Sequence, residues 1–108
     1  MMIKTDEQIA EKQIKDYLNQ DQIEIVLSSF EHNIGTNERE LIVNFPNGFF
    51  SLEVVYDYTY KKEHDTNSIV EDVNLIEVAE GYFCMDDVSV DLTSEQLLEI
   101  QEKAVLFY

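Results

Sequence analysis

The segment from Glu63 to Glu102 contains no lysine and no arginine, although it carries twelve carboxylates. The whole chain of 108 residues has 23 acidic and 7 basic residues, and its formal net charge is -16. A negative charge of this size opposes binding to a nucleic-acid backbone and to anionic lipid headgroups. We therefore expect no direct contact with nucleic acid or membrane, and a single-sign surface instead suggests electrostatic steering towards a partner.

Glycine is also scarce, and its spacing excludes several enzyme classes. The three glycines, Gly35, Gly48 and Gly81, stand far apart, so no glycine-rich phosphate-binding loop is present. The chain lacks a Gly-x-Ser-x-Gly nucleophile elbow and a His-Glu-x-x-His zinc-binding helix. The sequence predicts a protein that is not an enzyme and that carries no cofactor.

Cysteine occurs once, and long apolar runs do not occur. A single Cys84 excludes an intramolecular disulfide and favours a reducing compartment. Its position after Tyr82 and Phe83 predicts a small buried hydrophobic residue and not a nucleophile. Residues 1–7 lack the apolar core of a signal peptide, and no segment has the length of a membrane span. We expect a cytoplasmic protein.

Apolar residues are nevertheless plentiful enough for a folded core. Hydrophobic residues make up 44% of the chain and include six Phe and six Tyr, which separates it from acidic disordered proteins. A chain of this length is typical of one domain. The sequence predicts a single domain over residues 1–108.

Two capping boxes predict a helix near each end of the chain. Thr5 and Gln8 begin the first helix, which the polar residues 19–21 end. Thr93 and Gln96 begin the second helix, after which an apolar stripe predicts that it continues almost to Tyr108. That stripe contains Leu97, Ile100, Ala104 and Phe107.

Alternating apolar and polar residues predict five strands between the helices, near residues 23–27, 41–45, 50–60, 73–83 and 88–92. Residues 61–68 are polar and predict an exposed loop, and residues 79–81 predict a bulge. The order α-β-β-β-β-β-α predicts an α+β fold, with an antiparallel sheet of about five strands and both helices on one face. Within the first hairpin, we predict that Phe45 pairs with Phe50 across a four-residue loop, which keeps one face apolar.

The carboxylate-rich segment from Glu63 to Glu102, which we call the acid block, is the main candidate site. On strands and helices, carboxylates at two- and four-residue spacing lie roughly 6 to 7 Å apart, which suits pairing with a groove rich in Lys and Arg. A solvated surface that serves only solubility is the alternative. The predicted partner-binding residues are Glu80, Asp86, Asp87, Asp91, Glu95, Glu99 and Glu102.

Four of these acids, Glu80, Asp86, Asp87 and Asp91, are also the best candidates for binding a hard cation. Their spacing matches no calcium-binding loop, and the required central glycine is missing. The two histidines and one cysteine form no standard zinc set. We therefore predict no metal.

These features together predict a small acidic protein that binds a basic partner. The partner would be a nucleic-acid-binding protein, and the carboxylates would replace phosphates in its groove, as in the small nucleic-acid-mimic inhibitors of phages and mobile elements. Size and charge alone carry this analogy, and the oligomeric state stays open.

An assembly protein with an apolar and aromatic interface is the alternative function. Alternation places Tyr56, Tyr58 and Tyr60 on one side of the third strand. Period-two aromatics usually face a core. If the strand extends beyond the helices, however, Tyr58 and Tyr60 form an exposed aromatic patch of the kind that anchors interfaces.

Overall fold

The computed structural model describes residues 5–62, 69–86 and 88–108, which form two helices and six strands. Most strands belong to one antiparallel sheet, so the α+β class is confirmed. The elements in chain order are α1 (Asp6–Leu18), β1 (Ile23–Val26), β2 (Gly35–Phe45), β3 (Gly48–Lys62), β4 (Ile69–Met85), β5 (Val88–Asp91), α2 (Ser94–Lys103) and β6 (Ala104–Phe107).

Both predicted capping boxes are present. The Thr5 hydroxyl accepts a hydrogen bond from the Gln8 amide at 3.3 Å, and the Gln8 side chain accepts one from the Thr5 amide at 3.1 Å. Thr93 and Gln96 repeat the exchange at the start of α2, with distances of 3.2 and 2.9 Å. These contacts satisfy amides that the first helical turn leaves without a partner.

Four strands form an antiparallel sheet in the order β2-β3-β4-β5. The predicted hairpin register is wrong by two residues, because Phe45 pairs with Gly48 and Val43 pairs with Phe50. Only Pro46 and Asn47 connect the strands, and proline fits the first loop position, where no closing amide is needed. A shift of two residues keeps every side chain on its face, so the predicted apolar face is preserved.

Gly48 has a steric role in this hairpin. A Cβ atom at Gly48 would collide with the backbone carbonyl of Cys84 on β4. The absence of a side chain thus lets β4 approach the beginning of β3.

The prediction that all strands share one sheet is wrong, as is the predicted end of α2. β1 forms a separate parallel pair with β6, in which Ile23 lies opposite Ala104. The last helix therefore ends at Lys103, and Phe107 is 46% exposed instead of lying in a helical core stripe. Residues 104–107 are branched or aromatic after Ala104, a composition that suits a strand, and they supply β1 with its backbone partners.

The two faces of the four-stranded sheet have different surroundings. On the covered face, α1, α2 and the β1–β6 pair lie over a core that includes Phe50, Leu52, Val54 and Phe83. Tyr17 of α1 stacks on Phe50 with ring centroids 4.4 Å apart. The second face carries neither helix, which agrees with the prediction that both helices share one side.

The molecule is elongated, with principal extents of 69 × 24 × 22 Å. Strands β3 and β4 continue beyond the last β2 pair, Gly35 with Tyr58, and form a two-stranded arm from Thr59 with Asp72 to Lys62 with Ile69. The predicted loop at residues 61–68 is thus partly wrong, because Lys61 and Lys62 belong to β3. Residues 63–68 lie outside the described residues.

Candidate acidic interface

The strand register brings eight carboxylates together on the uncovered face of the four-stranded sheet, which we call the acidic face. Along each strand these carboxylates alternate with residues of the covered face, and together they come from all four strands. Within the described residues, Lys61 on the arm is the one basic residue at a register position on this face. The eight are Glu38 and Glu40 of β2, Glu53 and Asp57 of β3, Asp72, Glu77 and Glu80 of β4, and Asp91 of β5.

Three of these carboxylates lie directly opposite one another across three strands. Glu40 pairs with Glu53, and Glu53 pairs with Glu80. Neighbouring strands lie about 4.8 Å apart, so this carboxylate row places like charges side by side. Like charges opposite each other destabilise a sheet, so the folding of β2, β3 and β4 does not account for this row.

A β-bulge in β4 completes the carboxylate row. The register passes from Glu53 with Glu80 to Val54 with Val78, which leaves Ala79 without a partner on β3. If the register continued from Val78 without the bulge, Ala79 would lie opposite Glu53 and Glu80 would turn to the covered face. The predicted irregularity at residues 79–81 is therefore confirmed, and a second bulge at Ile76 is an addition to it. The Val78 amide donates to Gln101 Oε1 of α2 at 3.3 Å, which ties the bulge to the helix.

The surroundings of the carboxylate row are polar. Ser51 lies beside it, and its hydroxyl donates to Glu40 Oε1 at 2.8 Å. A shallow depression of about 470 Å³ lies over the row, and Glu38, Arg39, Gly81 and Tyr82 also line it. Further along the face, the Thr36 hydroxyl donates to Asp57 Oδ1 at 2.9 Å. These hydroxyl hydrogen bonds orient the Glu40 and Asp57 carboxylates and leave their negative charges in place.

The structure divides the predicted partner-binding acids among three places. Glu80 and Asp91 lie on the acidic face, and both are exposed. Asp86 lies in the connection from β4 to β5 and has a φ of 49°, a conformation that aspartate tolerates in tight hairpin turns. Asp87 lies outside the described residues.

The remaining predicted acids, Glu95, Glu99 and Glu102, belong to α2, which packs on the covered face. Glu99 is already paired, because Lys103 Nζ lies 3.0 Å from its Oε1 atom. The same ammonium group donates to the Leu18 carbonyl at the end of α1 at 2.6 Å. The acid block of the sequence is therefore not one continuous surface.

Of the eight carboxylates on the acidic face, only Glu80 and Asp91 belong to the predicted partner-binding set. Glu38 and Glu40 precede the second predicted strand at residues 41–45, whereas Glu53 and Asp57 alternate with apolar residues in the third. The alternation in β3 was a usable signal, but Glu38 and Glu40 join the face only through the hairpin that sets β2 beside β3.

The predicted aromatic patch is not present as a pair. Tyr58 is 8% exposed and packs near the His32 ring, with centroids 5.1 Å apart, whereas Tyr60 is 45% exposed on the arm. Burial raises the pKa of Tyr58, and the Glu71 carboxylate raises it further. A loop between β1 and β2 covers the sheet beyond the helices, which explains why Tyr58 is buried.

Hydrogen bonds within a polar cluster hold that loop against the sheet. Asn37 is 2% exposed, and its side-chain amide donates to the Asn33 carbonyl at 2.7 Å while its oxygen accepts from the Asn33 amide at 2.9 Å. Arg39 donates to the Glu31 carbonyl at 2.8 Å, and His32 Nδ1 lies 2.6 Å from the Tyr56 hydroxyl. Burial raises the pKa of Tyr56, and Arg39 opposes this effect. The satisfied hydrogen bonds give this cluster a structural role.

Cys84 is half-buried and not part of the core. It lies on the acidic face, opposite Phe49 on β3 and Ser89 on β5. Over the described ranges, no three His, Cys, Asp or Glu side chains are arranged to hold a metal ion.

Comparison of the chain with protein-family models, curated proteins and solved structures finds no match. Within residues 5–62, 69–86 and 88–108, neither helix has the length and apolar character needed to cross a bilayer.

Proposed function

We propose that this protein is a non-enzymatic interaction protein that binds a basic partner through its acidic face. The observation that carries this proposal is the carboxylate row Glu40, Glu53 and Glu80, placed on a face that neither helix covers. A partner that presents Lys and Arg to the row would relieve the repulsion among its charges. Binding would thereby be favoured by relief of a repulsion that is unfavourable in the free folded protein.

The proposed partner is a nucleic-acid-binding protein, and the proposed effect is inhibition or regulation. Neighbouring carboxylates of the row lie about 4.8 Å apart across the strands, and Glu38 lies about 6.8 Å from Glu40 along β2, which gives a dense patch of negative charge. A phosphate-binding groove is lined with Lys and Arg and recognises such charge largely without reading a sequence. Occupation of that groove would exclude its nucleic acid by competition.

The test compares two variants with the same change in net charge. The first is the triple variant Glu40→Gln, Glu53→Gln and Glu80→Gln, and the second is Glu95→Gln, Glu99→Gln and Glu102→Gln on α2. A partner captured from lysate with the wild-type protein serves as the binding probe, and association rates are measured from low to physiological salt. We expect the first variant to associate at least about tenfold more slowly at low salt and to lose most of its salt dependence.

The α2 variant should associate at nearly the wild-type rate. Equal slowing by both variants would mean that net charge alone matters and would contradict the acidic-face proposal. Wild-type protein should also displace a labelled oligonucleotide from the partner. Binding without displacement would contradict the competitive mechanism.

An assembly protein with an apolar interface is the second candidate function, and the arm favours it. Tyr60, Ile69 and Val70 are 45%, 57% and 45% exposed on neighbouring strands. This alternative predicts that Tyr60→Ala abolishes partner binding, whereas the carboxylate-row variant leaves it intact.

A further inference from the structure

A groove separates the edge of the four-stranded sheet from the β1–β6 pair. One wall is the β2 edge, where five consecutive residues from Leu41 to Phe45 line the groove. The other wall is the outer face of the β1–β6 pair and includes Val26 and Phe107, which the register places opposite each other. Its volume of about 540 Å³ lies within the range of roughly 300 to 1,000 Å³ typical of ligand pockets.

A buried hydroxyl without a partner also belongs to this groove. Tyr17 lines it and is only 6% exposed, yet its hydroxyl has no hydrogen-bond partner among the described residues. A buried hydroxyl without a partner is unfavourable by about 1 to 3 kcal/mol. A bound group that exchanges a hydrogen bond with this hydroxyl would recover that free energy.

The β2 edge has few of the features that usually prevent strand addition. It is 11 residues long, contains no proline and pairs with β3 in an uninterrupted register. In the described chain, Leu41–Phe45 makes no backbone hydrogen bond to an element other than β3. The opposite edge, β5, has only four residues, and short edges are a common protection against pairing.

Charge selects the kind of strand that this edge accepts. A strand that pairs with residues 38–45 of β2 would place alternate side chains next to Glu38 and Glu40 on the acidic face, and further ones next to Ile42 and Asn44. The groove itself is lined by one carboxylate, Glu24, and by no Lys or Arg. Basic residues are therefore favoured in the added strand. A second copy of β2 would instead bring its own glutamates and the repulsion of two chains that each carry a charge of -16.

We propose that this groove is a strand-addition site for an extended segment of a partner protein, with apolar side chains in the groove and basic side chains beside Glu38 and Glu40. The backbone of the added segment would pair with β2, and period-two alternation would give the segment its specificity. Eight residues of strand span about 27 Å and pair with residues 38–45, of which Leu41–Phe45 line the groove. The apolar half of this site is independent of the proposed function, whereas the basic half rests on it.

The test uses labelled eight-residue peptides with blocked ends. The probe alternates Val and Lys. The first control has four Val followed by four Lys. The second control is a pair of alternating peptides, each N-methylated at the amides of one edge only. We expect the alternating probe to bind at least about tenfold more tightly than the block control, because only alternation separates the two side-chain types. Methylation of the edge that faces β2 should remove binding, since β-pairing needs those amides.

Protein variants separate the groove from the acidic face. Tyr17→Phe removes the hydroxyl and should weaken probe binding about fivefold or more, while the melting temperature stays the same or rises because an unpartnered buried hydroxyl is lost. Amide chemical-shift changes on binding should concentrate in residues 38–45. Equal binding of alternating and block peptides, or loss of binding only in a Glu53→Gln and Glu80→Gln variant that leaves the β2 edge unchanged, would overturn the groove and leave the proposed function standing.

The reverse outcome is equally distinguishable. Probe binding that depends on Tyr17 but not on Glu53 and Glu80 would support the groove, while an unchanged partner association rate in the carboxylate-row variant would refute the proposed function. A concentration-dependent dimer that excludes the probe would overturn the partner-segment proposal in favour of a second copy.

Discussion

The covered face and the acidic face are built from alternate residues of the same strands, yet they contribute to stability in opposite directions. On the covered face, β3 contributes Phe50 and Leu52, which are fully buried. Burial of each such side chain stabilises the fold by roughly 1.5 to 3 kcal/mol. The alternate residues Ser51 and Glu53 of the same strand lie on the acidic face. There, opposed carboxylates destabilise the sheet by up to about 1 kcal/mol per pair. Burial on the covered face outweighs this repulsion, so the acidic face can keep an unfavourable arrangement that is available for binding.

The largest effect should come from truncating the covered face. Phe50→Ala removes the ring that stacks on Tyr17 and whose centroid lies 4.7 Å from that of Phe83. We expect a loss of about 3 to 5 kcal/mol in unfolding free energy. Phe49→Ala, one residue earlier and on the acidic face, should lose only about 1 kcal/mol because Phe49 is half-buried.

Urea unfolding monitored by circular dichroism measures both losses, and Phe50→Leu provides a milder variant if the alanine protein does not fold. Equal losses at Phe49 and Phe50 would contradict the distinction between the two faces.

A smaller effect of opposite sign should come from the acidic face. Glu53→Gln removes the central charge of the carboxylate row, and we expect an increase of a few tenths to about 1 kcal/mol in unfolding free energy at low salt. The gain should shrink as salt screens the charges. Asp21→Asn, at an exposed position between α1 and β1, is the matched control and should change stability less. A loss of stability in the Glu53 variant would show that the row supports folding.

The last effect concerns the hydroxyl of Tyr17, which is buried without a hydrogen-bond partner among the described residues. Burial raises the pKa of Tyr17 from 10.0 to about 12. Because the folded state holds this proton more tightly than the unfolded state, the stability contribution is complete below pH 10 and falls as the pH rises to about 12.

Tyr17→Phe should therefore not lower stability at neutral pH, where it removes an unpartnered buried hydroxyl, and should reduce the decline between pH 10 and about 12. Melting temperatures across this range measure the effect. Tyr60→Phe, at an exposed tyrosine, should retain the wild-type decline, and an identical alkaline profile for the two variants would contradict the assignment to Tyr17.

Local patterns predicted much of the fold correctly. Each capping box needs only residues three positions apart, so Thr5 and Thr93 mark helix starts whatever the rest of the chain does. Alternation fixes which residues share a face, so the buried set of β3 from Phe50 to Tyr58 was predictable. The lone exception in the predicted row, Tyr60, is exposed because the arm extends beyond β2 and the covering loop.

Non-local pairing decided what the sequence left open. The end of α2 at Lys103 depends on β1, about 80 residues earlier, whose backbone groups need the partner that residues 104–107 provide. The hairpin shift depends on Gly48, where β4 leaves no room for a Cβ atom. Neither requirement is visible in the local pattern of the residues concerned.

Composition and local pattern are enough to predict that this protein is strongly anionic, has a core and places carboxylates on the polar sides of its strands. Which of these carboxylates meet depends on how the strands pair. Glu40, Glu53 and Glu80 come from three different strands, and a single extra residue at Ala79 brings the third into line. Charge is a property of composition, whereas a charged surface depends on strand register, and register is set by contacts between distant parts of the chain.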